Sequence, residues 1–123
     1  MKLGDTFVWC PDRGKDHLWI LISDPSKNDG TCVLVNLTES RHGKYSFILK
    51  PGDHEFIYKD SDVAFGDAIK TTEARLQIQV DLEQAKPNRP MKRELIKKIV
   101  DEAHRHGAFQ PILRKIIPPA GSL

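Results

Sequence analysis

A chain of 123 residues, 39% apolar and 29% charged, can bury one core and is too balanced in composition to be disordered. No apolar run is long enough to cross a bilayer, and Met1-Lys2-Leu3-Gly4-Asp5 lacks the apolar stretch of a secretory leader, so a cytoplasmic protein without a membrane partner is expected. The net charge of +2 conceals an asymmetry, with ten Lys/Arg against fourteen Asp/Glu in residues 1–85 and nine against three in residues 86–123. A basic tail of this kind suits a polyanion, and it equally suits the solvated face of an amphipathic helix.

Thr6 to Cys10 is short, aromatic and β-branched, which predicts a strand ended by the turn Pro11-Asp12-Arg13-Gly14. His17 to Ser23 is almost continuously apolar, as expected of a strand covered on both faces. The turn formers Asp24 to Gly30 and the apolar run Thr31 to Thr38 then predict an antiparallel hairpin over 17–38. After the polar loop Glu39 to Lys44, a strand is expected at Tyr45 to Leu49, stopped by Pro51-Gly52. Phe56 to Tyr58, Val63 to Phe65 and Ala68-Ile69 are brief apolar pieces. Leu76, Ile78, Val80 and Leu82 alternate, which favours a strand and leaves a helical turn open.

Lys86-Pro87-Asn88-Arg89-Pro90 changes the pattern. Met91, Leu95, Ile99 and Ala103 recur at helical spacing, Gly107 suits a helix stop, and a second helix is expected from Pro111 to Pro118. The whole predicts one domain, mainly β: a small barrel of short antiparallel strands over 1–85 with one or two α-helices over 86–123 packed on it. Cys10 and Cys32 lie in apolar runs and are expected to be buried free thiols; no Cys/His spacing suggests a metal, and no cofactor motif is present.

The candidate chemistry lies at strand ends. His17 opens the central apolar strand, Thr38 closes its partner, His54 sits in a Gly-Asp-His turn, and Ser61 precedes Val63. Two histidines suit phosphodiester transfer in RNA. One neutral imidazole takes the 2′-hydroxyl proton while an imidazolium protonates the departing 5′-oxygen, and an ordinary imidazole pKa of about 6.5 populates both forms near neutrality. Thr38 or Ser61 could donate to a non-bridging oxygen, and Arg41 or Lys59 could offset the growing charge. Trp9 and Trp19 have apolar neighbours and are expected in the core. His104 and His106 stand at i, i+2 at the end of the basic helix, which does not suit a helical metal site.

The order of these pieces resembles the PemK/MazF family of toxin endoribonucleases. Gly4-Asp5 before a short strand, His17 through Ser23, Val35-Asn36-Leu37-Thr38, Ser61-Asp62-Val63 and Arg75-Leu76 carry the resemblance, which spans roughly residues 4–117. It implies an SH3-like barrel, a homodimer, cleavage of single-stranded RNA without a metal, and restraint by an antitoxin protein. Thr38 matches the family's catalytic threonine or serine, whereas His17 stands where the family has an arginine. The segment Gly52 to Ile57 departs from the typical pattern. An imidazole lacks the permanent bidentate phosphate clamp of a guanidinium. The alternative expectation is therefore a non-catalytic SH3-like module that binds a protein or a nucleic acid.

Overall fold

In the computed structural model, which describes residues 1–12 and 14–123, six strands form one antiparallel sheet that curls into a half-barrel. Arg13, inside the turn expected after the first strand, lies outside the described residues. The strands are β1 (Thr6–Trp9), β2 (His17–Leu21), β3 (Thr31–Glu39), β4 (Ile48–Leu49), β5 (Ser61–Thr72) and β6 (Lys86–Asn88). Their order across the sheet is β4-β5-β3-β2-β1-β6. Two α-helices, α1 (Glu73–Asp81) and α2 (Arg93–Ala103), complete the regular elements with 3₁₀ turns at Pro25–Lys27 and Pro111–Lys115.

The sheet has a core on each face, and the continuous apolar character of β2 and β3 follows from that. Leu18, Ile20, Val33, Val35 and Leu37 point one way, into the larger core, where Leu95, Ile96, Ile99, Val100 and Ala103 of α2 cover them together with Phe109 and Leu113. Trp19, Leu21, Cys32 and Leu34 point the other way and meet Phe7, Trp9 and Leu76. Period-two alternation divides each strand between the two cores, which is why both strands read as almost continuously apolar. Both tryptophans are core residues as expected, with their rings edge to face at a centroid distance of 5.9 Å and Trp19 Nε1–H donating to the Trp9 carbonyl.

Several expected elements differ. The alternating stretch at Leu76 to Leu82 is helical. Thr72 caps it by accepting from the Arg75 N–H, and Leu76 is buried whereas Ile78 and Leu82 are exposed, so the alternation did not mark a buried strand face. The stretch from Lys86 to Pro90, where the sequence pattern changes, contributes β6. Pro87 is tolerated there because β6 is an edge strand paired only with β1, leaving the side without an N–H unpartnered. Val63 to Phe65 and Ala68-Ile69 belong to one long strand, β5, and Tyr45 to Phe47 and Phe56 to Tyr58 lie outside the strands. The expected second C-terminal helix is a five-residue 3₁₀ turn. No helix among the described residues is long and apolar enough to cross a membrane.

Cys32 is buried as expected, but Cys10 is partly exposed, its thiol turned onto the Asp12 and Gly14 carbonyls. Burial pushes the Cys32 thiol up to about 11, and partial desolvation followed by the Asp12 side chain raises that of Cys10. Both should therefore resist iodoacetamide at pH 7 in the native protein and react once it is unfolded. Rapid native labelling at either position would contradict this. Replacing the cap, Thr72→Ala, should cost about 1 kcal/mol in a urea melt. An unchanged midpoint would show that α1 is held by packing alone.

Candidate functional site

Antiparallel pairing brings the start of β2, the end of β3 and the start of β5 to the same end of the sheet. Trp19 pairs with Asn36, so continuing the register two residues sets His17 beside Thr38, and Thr38 pairs in turn with Asp62. Side chains in such a row stand about 5 Å apart on one face. The row flanks a cleft of about 190 Å³ whose walls include His17, Thr38, Glu39, Tyr58, Lys59 and Ser61. Four residues singled out from the sequence, His17, Thr38, Lys59 and Ser61, thus meet there.

The geometry fixes the orientation of His17. Its Nδ1 lies 2.9 Å from the Leu37 carbonyl, which can only accept, so Nδ1 carries a proton and Nε2 is the ring nitrogen left to face a ligand. Among the described residues no hydrogen bond engages that Nε2. The backbone thus fixes the orientation of this imidazole and presents Nε2 to the cleft. Beside it, Lys59 Nζ lies 3.0 Å from Glu39 Oε2. Hydrogen bonding to Glu39 raises the Lys59 ammonium above its usual range, and the same bond lowers the Glu39 carboxyl, so both stay charged near neutrality. Ser61 Oγ–H donates to the Lys59 carbonyl at 3.0 Å, tying the first residue of β5 to this corner.

Arg41 lies in an adjoining cleft of about 550 Å³, which shares Thr38 and Glu39 with the first and is also lined by Lys44, Tyr45, Ser46, Asp62 and His106. Asp62 is held there by the Ser40 and Ser46 hydroxyls at 2.8 and 3.1 Å. His106 donates from Nε2 to the Tyr45 carbonyl and accepts at Nδ1 from the Ala108 N–H, with its ring against Phe65.

His54 stands apart. It is only 5% exposed and lines neither cleft. The Phe56 N–H donates to Nδ1 at 3.0 Å, which places the proton on Nε2, and Nε2–H donates to the Arg89 carbonyl at 2.6 Å. With both ring nitrogens engaged, His54 has neither a lone pair nor an N–H to offer a substrate. The Thr6 hydroxyl donates to the same carbonyl at 2.7 Å, so His54 and Thr6 together anchor the segment entering α2.

Four residues of this region were not singled out from the sequence as site residues. Glu39 sits at the loop start, and its charge is legible only once Lys59 is seen beside it. Tyr45 and Tyr58 lie in short apolar pieces that read as strand, yet both are largely exposed. Asn36, buried on β3 two residues before Thr38, carries the one buried side-chain oxygen without a hydrogen-bond partner among the described residues.

Compared with known proteins, the sequence matches no family model and no curated protein. The functional reading therefore rests on the residues themselves. Among the described residues no group of His, Cys, Asp and Glu is clustered as metal ligands would be.

Proposed function

We propose that this chain is a PemK/MazF-like ribonuclease on an SH3-like barrel, cleaving single-stranded RNA without a metal at the His17 cleft. The observation that carries the reading is the oriented His17 imidazole, its Nε2 unengaged among the described residues, in a cleft that also holds the Thr38 hydroxyl and Lys59. In the step proposed, Nε2 takes the proton of a ribose 2′-hydroxyl, the 2′-oxygen bonds to phosphorus, and the P–O5′ bond breaks. A 2′,3′-cyclic phosphate is left, and the 5′-oxygen takes a proton from water. Thr38 donates to a non-bridging oxygen and Lys59 opposes the charge that builds there, while the Ser61 hydroxyl, committed to the Lys59 carbonyl, steadies that corner. His54, committed to Arg89 and Phe56, has no part in this step. Lys59, held charged by Glu39, is a poor proton donor and acts through its field.

With a single base and no partner histidine as acid, the bell-shaped pH profile of a two-histidine mechanism is not expected. The test is an RNA oligonucleotide in EDTA beside the same oligonucleotide with one 2′-deoxy residue. Cleavage at every site except the one preceded by deoxyribose is the expected result; cutting 3′ to the deoxy residue would remove the 2′-hydroxyl mechanism. In the same reading the protein works in the cytoplasm as a homodimer, and an antitoxin protein restrains it; both cysteines are free thiols, which suits a reducing compartment.

One observation favours the second reading, a non-catalytic SH3-like module. Among the described residues the cleft has a base but no partner acid and no arginine clamp, so it suits holding a nucleic-acid strand as well as cutting it. RNA bound intact at all pH values would select that reading.

A further inference from the structure

The two clefts share an unabsorbed feature. Tyr45 and Tyr58 are 74% and 77% exposed, the two most exposed large apolar or aromatic side chains among the described residues. Each has the ammonium of a neighbouring lysine over its ring, Lys44 at 5.5 Å from the Tyr45 centroid and Lys59 at 5.2 Å from that of Tyr58. Tyr45 lines the larger cleft and Tyr58 the smaller, and the two clefts meet at Thr38 and Glu39. Leaving an aromatic face in water forgoes the gain of burying it, and a cation beside the ring gives back only a fraction. Two such faces, one on each side of the same strand end, are suited to planar π-faced ligands that approach along one strand.

We propose that Tyr45 and Tyr58 are stacking platforms for two unpaired nucleobases of one nucleic-acid strand, which crosses from one cleft to the other over Thr38 and Glu39. This rests on the RNA reading above and deepens it by naming where the strand is held. The charges favour stacking over phosphate contacts as the main source of affinity. Across the two clefts Lys15, Arg41, Lys44 and Lys59 face Asp16, Glu39 and Asp62, an excess of one positive charge among the described residues. Few counterions would then be displaced, and the salt dependence of binding is shallow, about threefold weaker between about 50 and about 200 mM salt if one phosphate is contacted. Stacking needs accessible base faces, so a duplex is excluded.

The experiment measures binding of a fluorescent 2′-O-methyl RNA hexamer, which cannot be cut because its 2′-oxygens are blocked. Wild type is compared with Tyr45→Ala, Tyr58→Ala, Tyr45→Phe and Tyr58→Phe, each checked by a thermal melt. Each alanine variant should bind about 5- to 100-fold more weakly, and each phenylalanine variant within about twofold of wild type, since phenylalanine keeps the ring face. Alanine variants that bind like wild type, phenylalanine variants as weak as alanine, or equal binding of a duplex would each overturn the proposal. So would absence of any binding by wild type. Tyrosine-dependent binding alongside intact ordinary RNA would uphold the platforms and remove the nuclease reading. Cleavage of ordinary RNA with binding indifferent to both tyrosines would do the reverse.

Discussion

His17→Asn should lower the rate of RNA cleavage by about 10²- to 10⁴-fold while leaving the thermal melt within a few degrees of wild type. Asparagine is chosen because its amide can donate to the Leu37 carbonyl as Nδ1–H does at 2.9 Å, so the variant keeps the anchor and loses the base. The loss should fall on kcat. His17 takes the proton only as the 2′-oxygen attacks, so substrate binding to the cleft is little changed and KM stays within a few fold. A His17→Asn protein with full activity, or one whose loss is entirely in KM, would remove the imidazole from the proton transfer.

The second large effect is on stability. His54→Ala should destabilise the protein by about 3 kcal/mol, because it leaves the partly buried Phe56 N–H without its acceptor, removes one of two donors to the Arg89 carbonyl and leaves a cavity where the buried ring sat. In a domain of this size that amounts to roughly 10 °C in Tm. The same variant, assayed well below its melting point, should still cleave RNA at close to the wild-type rate. These paired outcomes separate an anchoring histidine from a catalytic one: a stable but inactive His54→Ala protein would restore the two-histidine mechanism.

Much of this fold was legible because its central strands are apolar without interruption. The runs at 17–23 and 31–38 could be strands only if both faces were covered, and the two cores on either side of β2 and β3 supply those covers. The helical stripe Leu95, Ile96, Ile99, Val100 was equally plain, and it packs where an amphipathic helix must. What misled was local. Leu76 to Leu82 fits both periods over so short a span, and the cap at Thr72 and the exposure of Ile78 decide for the helix. Lys86-Pro87-Asn88 has no strand propensity of its own and is a strand only because the free edge of β1 lies beside it.

The candidate site was partly legible for a related reason. Polar residues that bound apolar strands collect at the sheet's end, and alternate strand directions bring the start of β2, the end of β3 and the start of β5 to one end. That is how His17, Thr38, Ser61 and Lys59 meet without being near in sequence. His54 obeys no such rule. It lies in the turn after β4, and its position is set by contacts with Arg89, 35 residues away, which no spacing reveals. The exposure of Tyr45 and Tyr58 was hidden similarly, since an aromatic in a short apolar piece reads as core until its surroundings are known.

The most direct test of the account is a denaturing gel of a long single-stranded RNA incubated in EDTA with the wild-type protein, beside His17→Asn purified in the same way. Discrete fragments from the wild type and intact RNA from the variant are the predicted result, and the matched purification excludes a contaminating nuclease. Intact RNA in both lanes, or the same fragments in both, would contradict the claim that the His17 cleft cuts RNA.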